Sequence, residues 1–209
     1  MKVIKGNSIA RVWEKSIGML AASSGRYSAA PSGMLTTRIL NLCLLINKLQ
    51  DHLEQSRLSV WGSEYLDQYS DHVCRGGPNV HILRDRMLSE ADDSLSQLDW
   101  VRRELSDNPS TRRAILVFWN PATDFRSSEP PGMIYCHFIR EGKTLHLSVY
   151  LRSNDAWNSA YPDMIAFSRL LRQEATRLRL TPGNYSHVVG DYHIYQHDLA
   201  YVRMRLGEK

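Results

Sequence analysis

Apolar residues recur at helical spacing from Ser8 to Ala22, where Ile9, Val12, Trp13, Ile17, Met19 and Leu20 fall on one stripe behind an Asn7-Ser8 start signal. The pattern predicts a second, more buried helix over Ile39 to Glu54. A third runs over Leu95 to Leu105 and ends at Asp107-Asn108-Pro109. Ala114 to Trp119 is an unbroken apolar run of strand length, expected to be buried on both faces. Met133 to Arg140 and Thr144 to Leu151 read as strands joined across Glu141-Gly142-Lys143. Pro162 opens a helix through Arg177 with Ile165, Ala166, Leu170 and Leu171 inward, and Tyr185 to Tyr195 returns as strand after Pro182-Gly183-Asn184. Ser23 to Ser32 reads as a loop, Tyr65 to Asn79 has no clear period, and Gly76-Gly77-Pro78 marks a turn. Without repeats or low-complexity tracts, these elements predict a mixed α+β domain spanning 1–209, with its later strands in one sheet.

Composition narrows the class. A chain that is 43% hydrophobic and 23% charged is soluble and globular in type. The longest apolar run, Ile39 to Ile46, is broken by Asn41 and falls well short of the roughly 20 residues that cross a bilayer. Lys2 and Lys5 are followed by no apolar block of a secretory signal, so the expected compartment is the cytoplasm. Cys43, Cys74 and Cys136 are an odd, widely spaced set with no metal-ligand spacing; reduced thiols are expected, and no metal. The net charge of +4 comes without a dense Lys/Arg tract, an RNA-binding signature or an aromatic stacking motif. Nucleic acid is therefore not an expected partner, and a small anionic ligand accounts better for several of the arginines.

Three short motifs carry candidate chemistry. Arg112 and Arg113 follow the Asn108-Pro109-Ser110-Thr111 turn, where guanidinium forks can hold phosphate bidentately; as a bare pair they read equally as a solvated strand end. Arg152-Ser153-Asn154-Asp155 closes the hairpin's second strand and taken alone is a polar strand end. In Gly190-Asp191-Tyr192-His193-Ile194-Tyr195, the rings of His193 and Tyr195 share one face of a strand, where both can donate to a sugar hydroxyl or simply pack.

Taken in order, these motifs and the intervening Trp119-Asn120-Pro121 resemble the nucleotide-binding half of thymidylate synthase and its relatives, the pyrimidine nucleotide hydroxymethylases, over Gln97 to Tyr195. Asn154 in the third place of Arg-Ser-x-Asp is similar to the hydroxymethylases in particular. The resemblance implies a thymidylate synthase-like fold, a mixed sheet packed with helices and a dimer through the sheet. It also implies a pyrimidine nucleoside 5′-monophosphate (CMP, dCMP, UMP or dUMP) as ligand. Arg112 and Arg113 would reach the phosphate of the neighbouring subunit, in sites shared between the two chains. Arg152, Ser153 and the loop residue Arg26 would hold phosphate, His193 and Tyr195 the sugar, and Asp155 would lie toward folate. Asp191 and the residue just inside the Pro162 helix would face the base. That inner position falls on Asp163, whose carboxylate would accept from a cytosine amino group, or on Met164, which would weaken ring recognition.

The departures are as specific as the matches. Counting back from Arg152, Gly132 stands where the family carries its nucleophilic cysteine, and a shift of one residue puts Pro131 there. Cys136, four residues along, is expected on the same face as Gly132, roughly 13 Å away, as a core thiol. In the family the thiolate adds to C6 and makes C5 the carbanion that takes a one-carbon unit from 5,10-methylenetetrahydrofolate. Asp51 and Glu54 fall out of register with the family's glutamate, and the sequence ends soon after the sugar motif, where the family's closing segment would follow. The expected activity is C5 modification of a pyrimidine nucleotide, hydroxymethyl or methyl transfer, without the usual cysteine. The alternative is a nucleotide-binding sensor or partner protein that has lost catalysis.

Overall fold

The computed structural model describes residues 1–23, 27–29, 33–47, 49, 55–75, 81–88, 90–92 and 95–207. The chain runs β1 (Lys2–Gly6), α1 (Ile9–Ala22), β2 (Tyr27–Ala29), β3 (Leu35–Ile46), α2 (Ser63–Arg75), α3 (His81–Met87), β4 (Glu90–Asp92) and β5 (Leu95–Ser96). It continues α4 (Gln97–Asp107), β6 (Ile115–Val117), α5 (Pro121–Asp124), β7 (Met133–Glu141), β8 (Thr144–Asp155), α6 (Ala160–Arg177), β9 (Thr181–Tyr195) and α7 (Gln196–Leu206). The main sheet is ordered β1-β3-β9-β8-β7-β6, with β2 beside the first part of β3. The β1/β3 and β8/β9 pairs are parallel and the other pairs of the sheet antiparallel. The parallel β8/β9 pair needs a long crossover, and α6 supplies it.

Period-two burial explains why Ile39 to Ile46 is strand and not the helix its apolar content suggested. Ile39, Leu42, Leu44 and Ile46 are buried, with Cys43 8% exposed, while Leu40 is 54% exposed, and the segment takes up β9 on one edge and β1 on the other. A short apolar run does not by itself separate the two states. Asn47 and Leu49 follow outside any helix, while Asp51 and Glu54 lie outside the described residues, as does the Gly76-Gly77-Pro78 turn. Ala114 to Trp119 also departs from expectation: β6 is the sheet's edge, with Leu116 inward but Ile115 and Val117 37% and 47% exposed. The aperiodic stretch from Tyr65 holds α2, which packs over α6; α6 is in turn buried nearly all round.

In the β7–β8 hairpin Glu141 pairs with Thr144, so the turn is only Gly142-Lys143, and Gly142 at φ +58° has the positive φ that the first central position of a type II′ turn requires. An irregularity between Met133 and Tyr135 resets the alternation of β7, so that Met133 shares the core face with Cys136. The expected common face of Gly132 and Cys136 therefore does not hold, although Cys136 is fully buried. Helices α1 and α6 cover one face of the sheet. The opposite face exposes Leu40, Ile115, Val117, Tyr135 and Ile139 in substantial part.

Three adjacent strands change face at one level. Buried positions run 145, 147, 149, 151 and then 154 in β8; 183, 185, 187, 189 and then 192 to 194 in β9; and 36, 37, 39 and then 42 to 44 and 46 in β3. Each strand inserts one residue there, and Asn41 takes φ 52° to do so. No helix among the described residues is long and apolar enough to cross a membrane.

Candidate functional site

The change of face is where the motifs meet. Gly132 and Gly190 flank β8 at this level: a Cβ on Gly132 would lie 2.8 Å from the Ser153 carbonyl oxygen, and one on Gly190 2.8 Å from that of Arg152. Both are backbone contacts that no rotamer relieves, so glycine is what lets the neighbouring strands close on Arg152-Ser153.

Beside this constriction, on the helix side of the sheet, lies a cavity of about 270 Å³ lined by Gly132, Ser153, Asn154, Asp155 and Asp163, with Tyr69 and Leu83 from α2 and α3. Asp163 stands in the first turn of α6, 6% exposed. The Tyr69 hydroxyl donates to its Oδ1 at 2.5 Å and the Asn154 Nδ2 to its Oδ2 at 2.9 Å. Burial pushes the Asp163 pKa up to about 6 against these two hydrogen bonds, with the charge of Asp155 adding to the rise. Behind Asn154, its Oδ1 meets His187 Nε2 at 3.0 Å, and His187 Nδ1 meets the Tyr185 hydroxyl at 2.8 Å. Burial holds His187 at a pKa of about 3, so the ring is neutral. Met164, the other candidate for the base slot, is fully buried and does not line the cavity.

Arg152 donates through Nε to the Pro131 carbonyl at 3.1 Å and through Nη2 to that of Pro130 at 2.8 Å, with its guanidinium 5.8 Å from the Trp119 ring centroid. It thereby holds the segment leading into Gly132. Asp155 shapes the turn into α6: Oδ1 accepts from the Trp157 and Asn158 amides, each at 3.0 Å, and Oδ2 from Asn158 Nδ2 at 3.0 Å. Trp13 of α1 fixes the same turn by donating to the Ala156 carbonyl at 2.7 Å.

From the cavity rim the site continues across the ladder from Asp155 to its partner His193. His193 meets Tyr195 edge-on at 5.1 Å between centroids and pairs with Asp191 at 3.5 Å. Burial opposes a charge on His193, but the Asp191 hydrogen bond and the charges of Asp155 and Asp191 outweigh it and raise its pKa. Asp191 also binds Arg38 at 3.0 Å and is held low by His193 and Arg38. Asp191 is thus engaged on this strip and does not line the cavity with Asp163.

Arg112 and Arg113 stand elsewhere. Ala114 bonds the Phe138 amide, six residues along β7 from Gly132, which separates the arginines from the cavity by roughly 20 Å. One arm of Arg113, 74% exposed, reaches Glu104 at 3.1 Å. Hydrogen bonds from Thr111, then Asn108 and Arg113, keep Glu104 below its usual range. Arg26 lies outside the described residues. Among the described residues no group of three or more His, Cys, Asp or Glu side chains is placed to hold a metal ion.

Tyr69, His187 and Arg38 were not found from the sequence. Tyr69 lay in the aperiodic stretch. His187 carried a signal that went unused: Tyr185-x-His187 has the same two-residue spacing as His193-x-Tyr195, on the buried face of the same strand.

Residues 39–209 match the family model for thymidylate synthase. A protein of Methanococcoides burtonii named "Putative thymidylate synthase" is 28% identical over 200 residues, covering 94% of this chain and 91% of its own. One of the same name from Methanothermobacter thermautotrophicus is 26% identical over 208 residues, covering 92% and 93%. A rice protein named "Putative bifunctional dihydrofolate reductase-thymidylate synthase" is 29% identical over 136 residues, 65% of this chain and 24% of that one. The match runs through the kinked strands, the glycines that permit the kink and the helix carrying Asp163, and on it the chain belongs to the thymidylate synthase family of one-carbon transferases.

Proposed function

We propose that the cavity between Gly132 and Asp163 takes the ring of a pyrimidine nucleoside 5′-monophosphate, and that the chain transfers a hydroxymethyl or methyl group to C5 without a cysteine nucleophile. What supports this most is a ring-sized space bordered by the Asp163 carboxyl, with Gly132 and Ser153 on its wall beside Arg152. Asp163 accepts from the ring amino group. Arg152 and Ser153, with Arg26, hold the phosphate, and His193 and Tyr195 hold the sugar along the strip beyond Asp155. The described residues offer reduced folate a hydrogen-bond acceptor, the Asp155 carboxylate, beside the apolar Leu83, which fits an amino-bearing pterin edge. Bound there, 5,10-methylenetetrahydrofolate would supply the one-carbon unit. The close backbone approach at Gly132 also favours a second reading, a nucleotide-binding protein without turnover.

Calorimetric titration with CMP, dCMP, UMP, dUMP and their nucleosides tests the ligand class. Charge-assisted hydrogen bonds contribute about 1.5–3 kcal/mol each, so Arg152→Ala should weaken nucleotide binding at least roughly tenfold. Equal affinity for nucleoside and nucleotide would refute the assignment. Tritium release from C5 of the labelled nucleotides, with and without folate, separates enzyme from binding protein.

Because Arg112 and Arg113 stand roughly 20 Å from the cavity of their own chain, they would serve the phosphate of a second copy docked through the open apolar sheet face. Mixing Arg113→Ala and Arg152→Ala chains should then give heterodimers with one intact site and one lacking both arginines. Binding should return at up to half of the heterodimer sites. Verified heterodimers with no recovery would show that each chain binds alone.

A further inference from the structure

We infer that Asn154 and His187 are positioning residues that keep Asp163 a hydrogen-bond acceptor toward the ring, so that the cavity selects a pyrimidine with an amino group at C4 over one with a carbonyl there. This rests on the nucleotide reading above and adds the device that sets the base.

The argument is one of donor direction. An amide such as Asn154 can be turned either way, and its orientation decides what Asp163 has left to offer. Its Nδ2 lies 2.9 Å from Asp163 Oδ2, which leaves Oδ1 facing His187 Nε2 at 3.0 Å. An amide oxygen only accepts, so the single proton of the neutral His187 ring sits on Nε2. Nδ1 is then the acceptor for the Tyr185 hydroxyl at 2.8 Å. Every donor in the row Tyr185, His187, Asn154 therefore points toward Asp163, and the Tyr69 hydroxyl points at it from the other side. Both carboxylate oxygens accept within the protein, and the lone pairs that remain for the cavity can only accept. A ring amino group donates to them, whereas a ring carbonyl at the same place sets oxygen against oxygen.

The reverse row demands three changes together: a proton on Asp163, a flipped Asn154 amide and the Nδ1–H form of His187. Such all-or-none linkage is what makes a buried polar row a determinant of specificity rather than one more set of contacts. Asn154 and His187 are 6% and 0% exposed, so water does not substitute for either partner.

Two measurements test this. Long-range ¹H–¹⁵N correlation spectra of the full chain report the His187 tautomer, with His187→Gln identifying its signals. The Nε2–H form is expected at pH 8, and the Nδ1–H form would overturn the inference without reference to any ligand. Calorimetry at pH 8 with CMP, dCMP, UMP and dUMP then compares the wild type with His187→Leu, Asn154→Ala and His187→Gln. The wild type should prefer the cytosine nucleotides. His187→Leu and Asn154→Ala should lower that preference roughly tenfold, and His187→Gln, which can still donate to the Asn154 oxygen, should retain most of it. A folded His187→Leu chain that keeps the full preference overturns the positioning role alone. A wild type that binds UMP as tightly as CMP overturns the base reading at Asp163 and this inference with it.

Discussion

A cysteine introduced at position 132 should lower stability by about 1–3 kcal/mol and should not restore the family's covalent chemistry. The added Cβ would stand 2.8 Å from the Ser153 carbonyl oxygen, while the Arg152 amide is bonded to the Gly132 carbonyl at 2.8 Å. Relieving the clash means prising β8 from the Gly132 segment where Gly190 closes on β8 from the other side. Urea denaturation of Gly132→Cys and Gly132→Ala separates room from thiol chemistry, since both should lose stability alike. Intact-protein mass spectrometry after incubation with a 5-fluoropyrimidine nucleotide and methylenetetrahydrofolate should find no adduct in the wild type or in Gly132→Cys. Cys136→Ala should leave any C5 activity nearly unchanged, because that thiol is fully buried on the core face. An adduct on Gly132→Cys at undiminished stability would show that the backbone yields and that a single substitution removed the nucleophile.

Much of the latter half of the fold was legible because its patterns are local. The β7–β8 hairpin, α6 behind Pro162 and β9 follow from alternation, a turn glycine and a helix-opening proline. Ile39 to Ile46 misled because a short apolar run broken only by Asn41 suits a buried helix as well as a central strand. Its partners β1 and β9, which decide the matter, come from the two ends of the chain. The kink was invisible for a related reason: strict alternation was assumed through Gly190 in β9, Arg152 lay just past the expected end of its strand and Asn41 inside the expected helix, and these are the residues the three strands insert. At the candidate site, the resemblance put forward Arg152, Ser153, Asp155, His193 and Asp163 or Met164, but motif spacing says nothing of what occupies a side chain once it arrives. Asp191 is committed to Arg38 and His193, and Asp163 to Tyr69 and Asn154. Those partners lie across strands and helices, and one of them, Tyr69, sits on a helix with no readable period.

Asp163→Asn should make the protein more stable at pH 8 than the wild type, by as much as about 3 kcal/mol, with the advantage disappearing near pH 4. Burial raises the folded pKa of Asp163 to about 6 from an ordinary 3.8, so the folded chain holds a proton there that the unfolded chain has released. The stabilisation tied to that proton is fully present below about pH 3.8 and is lost as the pH rises through about 6. Asparagine carries no charge to bury. It can still accept from Tyr69 through Oδ1, while its Nδ2 turns the Asn154 amide round and shifts His187 to the Nδ1–H form, a rearrangement that takes back part of the gain. The same reversal presents a donor to the ring, so cytosine nucleotides should lose affinity and uracil nucleotides gain it. Urea denaturation of both chains from pH 4.5 to 8 reads the stability difference directly, and contributions common to both chains, His193 among them, cancel. A difference that does not grow across that window would mean that Asp163 is not the buried, proton-holding carboxyl of this cavity.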